Sequence, residues 1–231
     1  MRFSGLLAAL LLPGTLAAQV GHDPSRSPYR TLRYGQFIGV NGGWFGGNGG
    51  DLGVAPHGGQ VLGLRYDFLS TGTVSIGLAG SMAWLNRVII DPSFPIDRAV
   101  KDTVSNRTAI GEAILQFNLT GGKTWRGFAP YLSAGLGAVL AGRTPADSSG
   151  FGFRFQVAVT PGIGTRIYLG ERLFVRVEAR NTFWQVKYPP TFRVPPANDP
   201  SQPPVLISPS KEWLANGWYS IGLSYAFRRP F

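Results

Sequence analysis

The chain has no cysteine, two histidines, two methionines, and only 12 acidic residues against 22 basic ones in a length of 231. Without cysteine there is no disulfide framework, no thiol nucleophile and no thiolate metal site. With His22 and His57 as the only imidazoles, the ligand set for a transition metal is too small, and no metal or other cofactor is expected. Long apolar runs are missing too. Residues 6–12 (LLAALLL) are uniformly apolar, but a spanning helix needs about 20 such residues.

What that short run does fit is an export signal. Arg2 provides a positive start, residues 6–12 an apolar centre, and Thr15, Leu16, Ala17 and Ala18 a small-residue exit, with cleavage after Ala17 or Ala18. Residues 1–18 are therefore read as a cleavable signal peptide, and the mature chain leaves the cytoplasm with no helical anchor. The remaining composition, 32 Gly, 18 Pro and 13% aromatic residues, argues against a helical bundle. Mean hydropathy is +0.04. A transmembrane barrel averages to such a value, because half of each strand faces lipid and half a polar interior.

Alternation carries the fold. In residues 218–227 (WYSIGLSYAF), Tyr219, Ile221, Leu223, Tyr225 and Phe227 share one face, while Ser220, Gly222, Ser224 and Ala226 share the other. Comparable segments run near residues 33–45, 60–68, 74–84, 108–119, 128–141, 151–168 and 173–184, which makes eight. The segment 173–184 sets the orientation: flipping it would put Arg176, Glu178 and Arg180 into hydrocarbon, at about 2–4 kcal/mol for a mid-membrane Arg. Connections alternate between short (70–73, 120–127, 170–172) and long (46–59, 88–107, 142–150, 185–212), as periplasmic turns and external loops do.

The expected architecture is an all-β, eight-stranded, antiparallel up-and-down transmembrane β-barrel. A short periplasmic segment spans 19–32, the barrel 33–227 and a C-terminal tail 228–231. Trp44, Trp84, Tyr219, Tyr225 and Phe227 are assigned to an aromatic girdle at the membrane interfaces. Eight strands enclose only enough space for side chains or one small ligand. The inward positions Arg65, Glu112, Gln116, Arg154, Gln156, Arg176, Glu178 and Arg180 are accordingly expected to form a polar network that plugs the lumen, since buried charges must be paired.

The Gly-rich first strand (FIGVNGG), YLSAGLG at residues 131–137, TPGIGTR at 160–166, VEAR at 177–180 and the aromatic closing strand together resemble the small bacterial outer-membrane β-barrels of the OmpA/OmpX-like superfamily. The resemblance implies insertion by the outer-membrane assembly machinery, which reads a C-terminal strand ending in an aromatic. Here Phe227 and the terminal Phe231 both qualify. It also implies contact with outer-membrane lipid and lipopolysaccharide.

Enzymatic readings are weak. His57, Asp147 and Ser148 fall in two long loops and could make a Ser/His/Asp set only there, and the lipid A deacylase pattern of His-x-Ser does not occur. Gly121-Gly122-Lys123-Thr124 mimics a phosphate loop, but Phe117 stands where its first glycine belongs. No catalysis is expected. A net charge of +10 asks for anionic partners. Arg98, Lys101, Arg107, Arg143, Lys187, Arg193 and Lys211 lie in or beside the long loops, where lipopolysaccharide phosphates would be met. Nucleic acid is not expected, since no basic stripe interleaves with stacking aromatics. The eight prolines of the last loop, from Pro189 to Pro209, suggest a semi-rigid protrusion offering an extracellular contact.

The function expected is structural or adhesive, by a monomeric, non-enzymatic outer-membrane barrel. A conduit for small or apolar solutes is the alternative, and a soluble periplasmic lipocalin-like barrel a third reading.

Overall fold

The computed structural model describes residues 27–207 and 210–227. The expected signal segment, His22, most of the 19–32 segment and the 228–231 tail with Phe231 lie outside the described residues.

Ten strands follow one another: β1 (Tyr29–Thr31), β2 (Gln36–Phe45), β3 (His57–Leu69), β4 (Val74–Ile90), β5 (Val100–Asn118), β6 (Lys123–Trp125), β7 (Phe128–Ala141), β8 (Phe155–Tyr168), β9 (Leu173–Lys187) and β10 (Lys211–Phe227). All pairings are antiparallel, and eight of the strands close on themselves in the order β2-β3-β4-β5-β7-β8-β9-β10 and back to β2. Closure runs from Trp218 opposite Phe45 to Phe227 opposite Gln36. Each wall strand thus has partners on both sides, as a sheet in hydrocarbon requires.

The outward faces are apolar where the alternation places them. Ile38, Val40, Leu62, Leu64, Leu78, Leu115, Leu132, Leu136, Ile163, Val177, Ile221 and Leu223 are all exposed to the surroundings. Such a belt is tolerable only if lipid covers it. Trp44 faces Gln60 on one neighbouring strand and Tyr219 on the other, and Gln60 in turn faces Trp84. These aromatics stand at one level of the wall, toward the long loops. Tyr225, opposite Ile38 and beyond it Tyr66, stands at the other level, with the Phe227 and Tyr66 rings 6.3 Å apart.

Three expectations need correction. The segment expected to begin at residue 151 enters the wall only at Phe155. Arg154 adopts a left-handed backbone (φ 43°), which breaks the alternation and turns Phe151 and Phe153 inward, where they are buried. The Pro-rich fourth loop is not a free protrusion: its 3-10 turn Pro190–Arg193 inserts Phe192, and Val205 and Leu206 follow it into the same core. β1 and β6 form a small ribbon absent from the eight-strand expectation, with Tyr29 opposite Trp125. From that ribbon the chain crosses beneath the barrel to β2, on the far side from β5 and β7; Leu32 N–H donates to the Gly122 carbonyl (2.8 Å) at one end, and Leu69 N–H to the Gly35 carbonyl (2.7 Å) at the other.

Among the described residues, the mouth on the long-loop side holds the larger of two apolar clusters. Val54 and Ala55 from the first loop, Phe151 and Phe153 from the third and Phe192, Val205 and Leu206 from the fourth pack against Phe45, Leu85, Val139, Trp184, Leu214 and Trp218 of the wall. Phe45 stacks on Trp184 at 5.4 Å and Phe151 on Phe192 at 6.5 Å. Burying such side chains is worth about 1.5–3 kcal/mol each, enough to hold loops down.

Phe192→Ala is expected to release the fourth loop without opening the wall. Trypsin, for which Lys187, Arg193 and Lys211 are exposed sites, should cut there at least about tenfold faster than in the unchanged protein, in keeping with the ~3–5 kcal/mol of Phe→Ala core truncations. Heat-modifiable gel migration should stay as it was.

Candidate functional site

The lumen is filled in layers, because each inward position on eight strands recurs every second residue. Lowest, at the rim of short turns, Phe37, Leu69, Phe174 and Ala226 form a small apolar floor, with Phe37 and Phe174 edge-to-face at 5.5 Å. Above it lie the charges.

Asp67, on β3, accepts from Arg65 Nε at 2.9 Å and from Arg176 of β9. Arg65 also donates to Glu178 at 2.8 Å, and the Tyr131 hydroxyl of β7 donates to the same carboxylate oxygen at 2.8 Å. Higher again, Arg180 donates to Glu112 of β5 at 2.7 Å while its guanidinium lies over the Trp218 ring, 3.9 Å from the centroid. Arg166, fully buried, donates to the side-chain carbonyls of Gln116 and Asn118 and sits 5.0 Å from the Phe37 ring and 5.2 Å from that of Tyr131. The network thus spans the lumen from wall to wall, with its charged side chains nearly all inaccessible to solvent.

Room for these long side chains comes from glycine on the facing strand. A Cβ at Gly162 would stand 2.5 Å from Arg180 Cγ, and one at Gly164 2.5 Å from the Tyr131 hydroxyl. The TPGIGTR segment places those glycines inward beside Arg166, so small and large positions alternate around the barrel.

Of the expected network, the structure brings together Arg65, Glu112, Gln116, Arg176, Glu178 and Arg180. It does not bring in Arg154 or Gln156. Arg154 is exposed at the end of the third loop, and Gln156 donates to the Phe153 carbonyl at 3.1 Å. Three members were missed: Asp67, Tyr131 and Arg166. All share the inward parity of their strands, and Asp67 lies two residues from Arg65, so parity alone could have found them.

At the mouth, Arg87 pairs with Asp147 in a nearly solvent-free contact under the third loop, and the other Asp147 oxygen accepts from Ser149 N–H at 3.0 Å. His57 Nδ1 lies 2.8 Å from the Ala55 carbonyl. Both oxygens of Asp147 are therefore committed elsewhere, and the loop-level Ser/His/Asp arrangement is not assembled. Tyr188 donates to Glu212 at 2.6 Å, and burial together with that carboxylate pushes the phenol's pKa up. Arg98, Lys101, Arg107, Arg143, Lys187, Arg193 and Lys211 are all exposed around this rim.

No family model and no curated protein matches the chain. Solved structures do. Neisserial surface protein A aligns over 83% of this chain and 97% of its own, with a TM-score of 0.53 at 10% identity. Among others, OprG of Pseudomonas aeruginosa aligns over 86% and 99% (TM-score 0.49, 16% identity), and the N-terminal β-barrel domain of OprF from the same organism over 86% and 100% (0.47, 13%). The chain has the fold of the small, eight-stranded bacterial outer-membrane barrels, and its exposed apolar belt is the lipid-facing surface of that class.

Asp67 holds two guanidinium groups, so Asp67→Ala should cost more than any other single lumen change, about 3–5 kcal/mol by the penalty of leaving buried charge unpaired. Urea unfolding in lipid vesicles measures it. Replacing the whole connected set, Arg65, Asp67, Arg176 and Glu178, with apolar residues of similar volume and Tyr131 with Phe should recover most of the loss.

Proposed function

We propose that this is a non-catalytic, monomeric outer-membrane barrel whose lumen serves as a structural plug and whose work is done at its outer rim. The observation that supports it best is the stack of filled layers: apolar floor, paired charges, then the loop-covered aromatic core. A solute path would have to displace ion pairs from a water-poor interior, where breaking one costs about 3–5 kcal/mol. The loops are anchored by Ala99 in the second, Phe151 and Phe153 in the third and Phe192, Val205 and Leu206 in the fourth, which holds their basic residues on a fixed frame.

The reading for that rim is contact with polyanionic surface groups, lipopolysaccharide phosphates first. Seven exposed cations surround a mouth with no open lumen, and their attraction is long-range and salt-sensitive. An extracellular partner would meet the same surface, giving the barrel an adhesive role. Assembly would follow the usual recognition of the closing strand, in which Phe227 already pairs with Gln36.

One observation favours the alternative, an apolar-solute conduit. Between β8 and β9 the pairing lapses at Thr160 and Pro161, opposite Asn181 and Thr182, and then resumes in the same register. Pro161 has no N–H to give, and the buried Asn181 Oδ1 has no hydrogen-bond partner. The Thr160 hydroxyl partly closes this seam by donating to the Thr182 hydroxyl at 3.4 Å.

Planar-bilayer recording decides between the two. The unchanged protein, Glu112→Ala and Glu178→Ala should all show negligible conductance, and liposomes carrying the unchanged protein should take up apolar solutes no faster than empty ones. Uptake that falls on Pro161→Val would establish the conduit instead. Replacing Arg98, Lys101 and Arg107 with Gln should weaken lipopolysaccharide binding several-fold at low salt and little at high salt.

A further inference from the structure

The charged layer does not balance. Among the described residues, the buried guanidinium groups of the lumen below the mouth are Arg65, Arg166, Arg176 and Arg180, and the carboxylates are Asp67, Glu112 and Glu178. Four cations meet three anions. The surplus can be located, because Arg65, Arg176 and Arg180 each have a carboxylate in direct contact, while the groups around Arg166 are the side-chain carbonyls of Gln116 and Asn118 and the Tyr168 hydroxyl, with Asp67 further off.

Arg166 also stands directly opposite Arg176 in the pairing of β8 with β9. Like charges so placed repel each other across a ladder, and here both are buried, Arg166 completely. Each has an N–H with no acceptor, Arg166 Nε and Arg176 Nη1, as do Arg65 (Nη2) and Arg180 (Nε). Buried donors are normally satisfied, and groups left over in a native interior mark a missing water or ion. A water would accept from these donors but leave the surplus charge in place. One monovalent anion would answer both.

Between the layer and the short-turn rim lies the Phe37 floor. A cavity of about 580 Å³ opens below it, lined by Arg30, Arg33, Tyr34 and Tyr168 and roofed by Phe37, the ring on which Arg166 rests. Arg33 is tied to Glu171 at 3.3 Å, and Arg30 adds a second positive group to the walls. An anion entering from the short-turn rim would move along positive potential to the Phe37 floor.

We propose that Arg166 and Arg176 together bind one small monovalent anion of halide type, which reaches them from the short-turn side past the Phe37 ring. A doubly charged oxyanion would overcompensate a single surplus charge in a site walled by Phe37, Tyr131 and Phe174 rings. The site supplies what the Arg166/Arg176 juxtaposition lacks, so the folded barrel holds the anion and the unfolded chain does not.

The test uses the mature full-length protein. Crystals grown in sodium bromide should show one anomalous peak in contact with both Arg166 and Arg176; density there that scatters only as water would overturn the proposal. In lipid vesicles, urea unfolding at matched ionic strength should depend on the anion. Above the dissociation constant the folded-to-unfolded ratio should rise about tenfold per tenfold bromide and stay flat in gluconate, and identical curves in the two salts would also overturn it. Arg166→Gln removes the surplus charge and should abolish the bromide dependence; persistence of that dependence would refute the site. If that variant does not fold, the two measurements on the unchanged protein decide. The site rests on a closed lumen. Ion conductance would defeat that closure, whereas a sealed barrel without bromide density would defeat the site alone.

Discussion

Backbone hydrogen bonding in a medium without water is the constraint on which everything else rests. A strand in hydrocarbon must be paired on both edges, so β10 has to meet β2, and once eight strands close, the interior is fixed at side-chain width. The lipid belt then has no choice but to be apolar, and the polar residues of every strand are confined together. Charges so confined lose their hydration and need partners. The Arg65, Asp67, Arg176 and Glu178 cluster is thus a consequence of closure, and Tyr131, held by Glu178, shows that even a neutral hydroxyl is recruited to it.

Confinement also explains the glycines. Long side chains that cross the lumen need room on the neighbouring strand, and Gly162 yields it to Arg180 and Gly164 to Tyr131. Higher up the partners become aromatic. There Trp184 and Trp218 meet side chains that hang from the loops, and the barrel's apolar core is shared between wall and loop. The long connections have apolar feet: Phe151, Phe153 and Phe192 are anchored inside, while basic residues such as Arg143 and Arg193 stay exposed.

Most of the wall was legible in the sequence because a period of two is a strong signal once it recurs eight times. Parity placed Leu62, Leu64, Ile221 and Leu223 outward and Arg176, Glu178 and Arg180 inward without ambiguity. It failed where the backbone left the extended region. Arg154 reads as the next inward residue before Gln156, but its left-handed conformation interrupts the count, and nothing in the neighbouring residues announces that turn. The burial of Phe192, Val205 and Leu206 was illegible for a different reason: proline density reports local stiffness, not where a stiff segment docks. The β1 and β6 ribbon, three residues each, is too short for any periodicity to show. Arg166 shares the inward parity of Gly162 and Gly164, so the face on which it lies is legible, whereas its contacts with Gln116 and Asn118 on β5 depend on which strands closure brings together.

Like charges placed opposite each other recur at two levels of the molecule, and the surroundings decide what each pair means. Arg166 and Arg176 face each other where no water arrives, so the surplus must be met inside the site. Lys187 and Lys211 face each other at the outer end of β9 and β10, both exposed. In water that repulsion is weak, about 1 kcal/mol or less, since both groups stay hydrated and solvent of high dielectric intervenes. It becomes an asset beside a dense layer of phosphates, where two ammonium groups held a strand spacing apart meet separate anionic oxygens. The buried pair calls for one discrete ion and the exposed pair for a surface, because burial turns the same repulsion from a screened nuisance into a requirement for specific compensation.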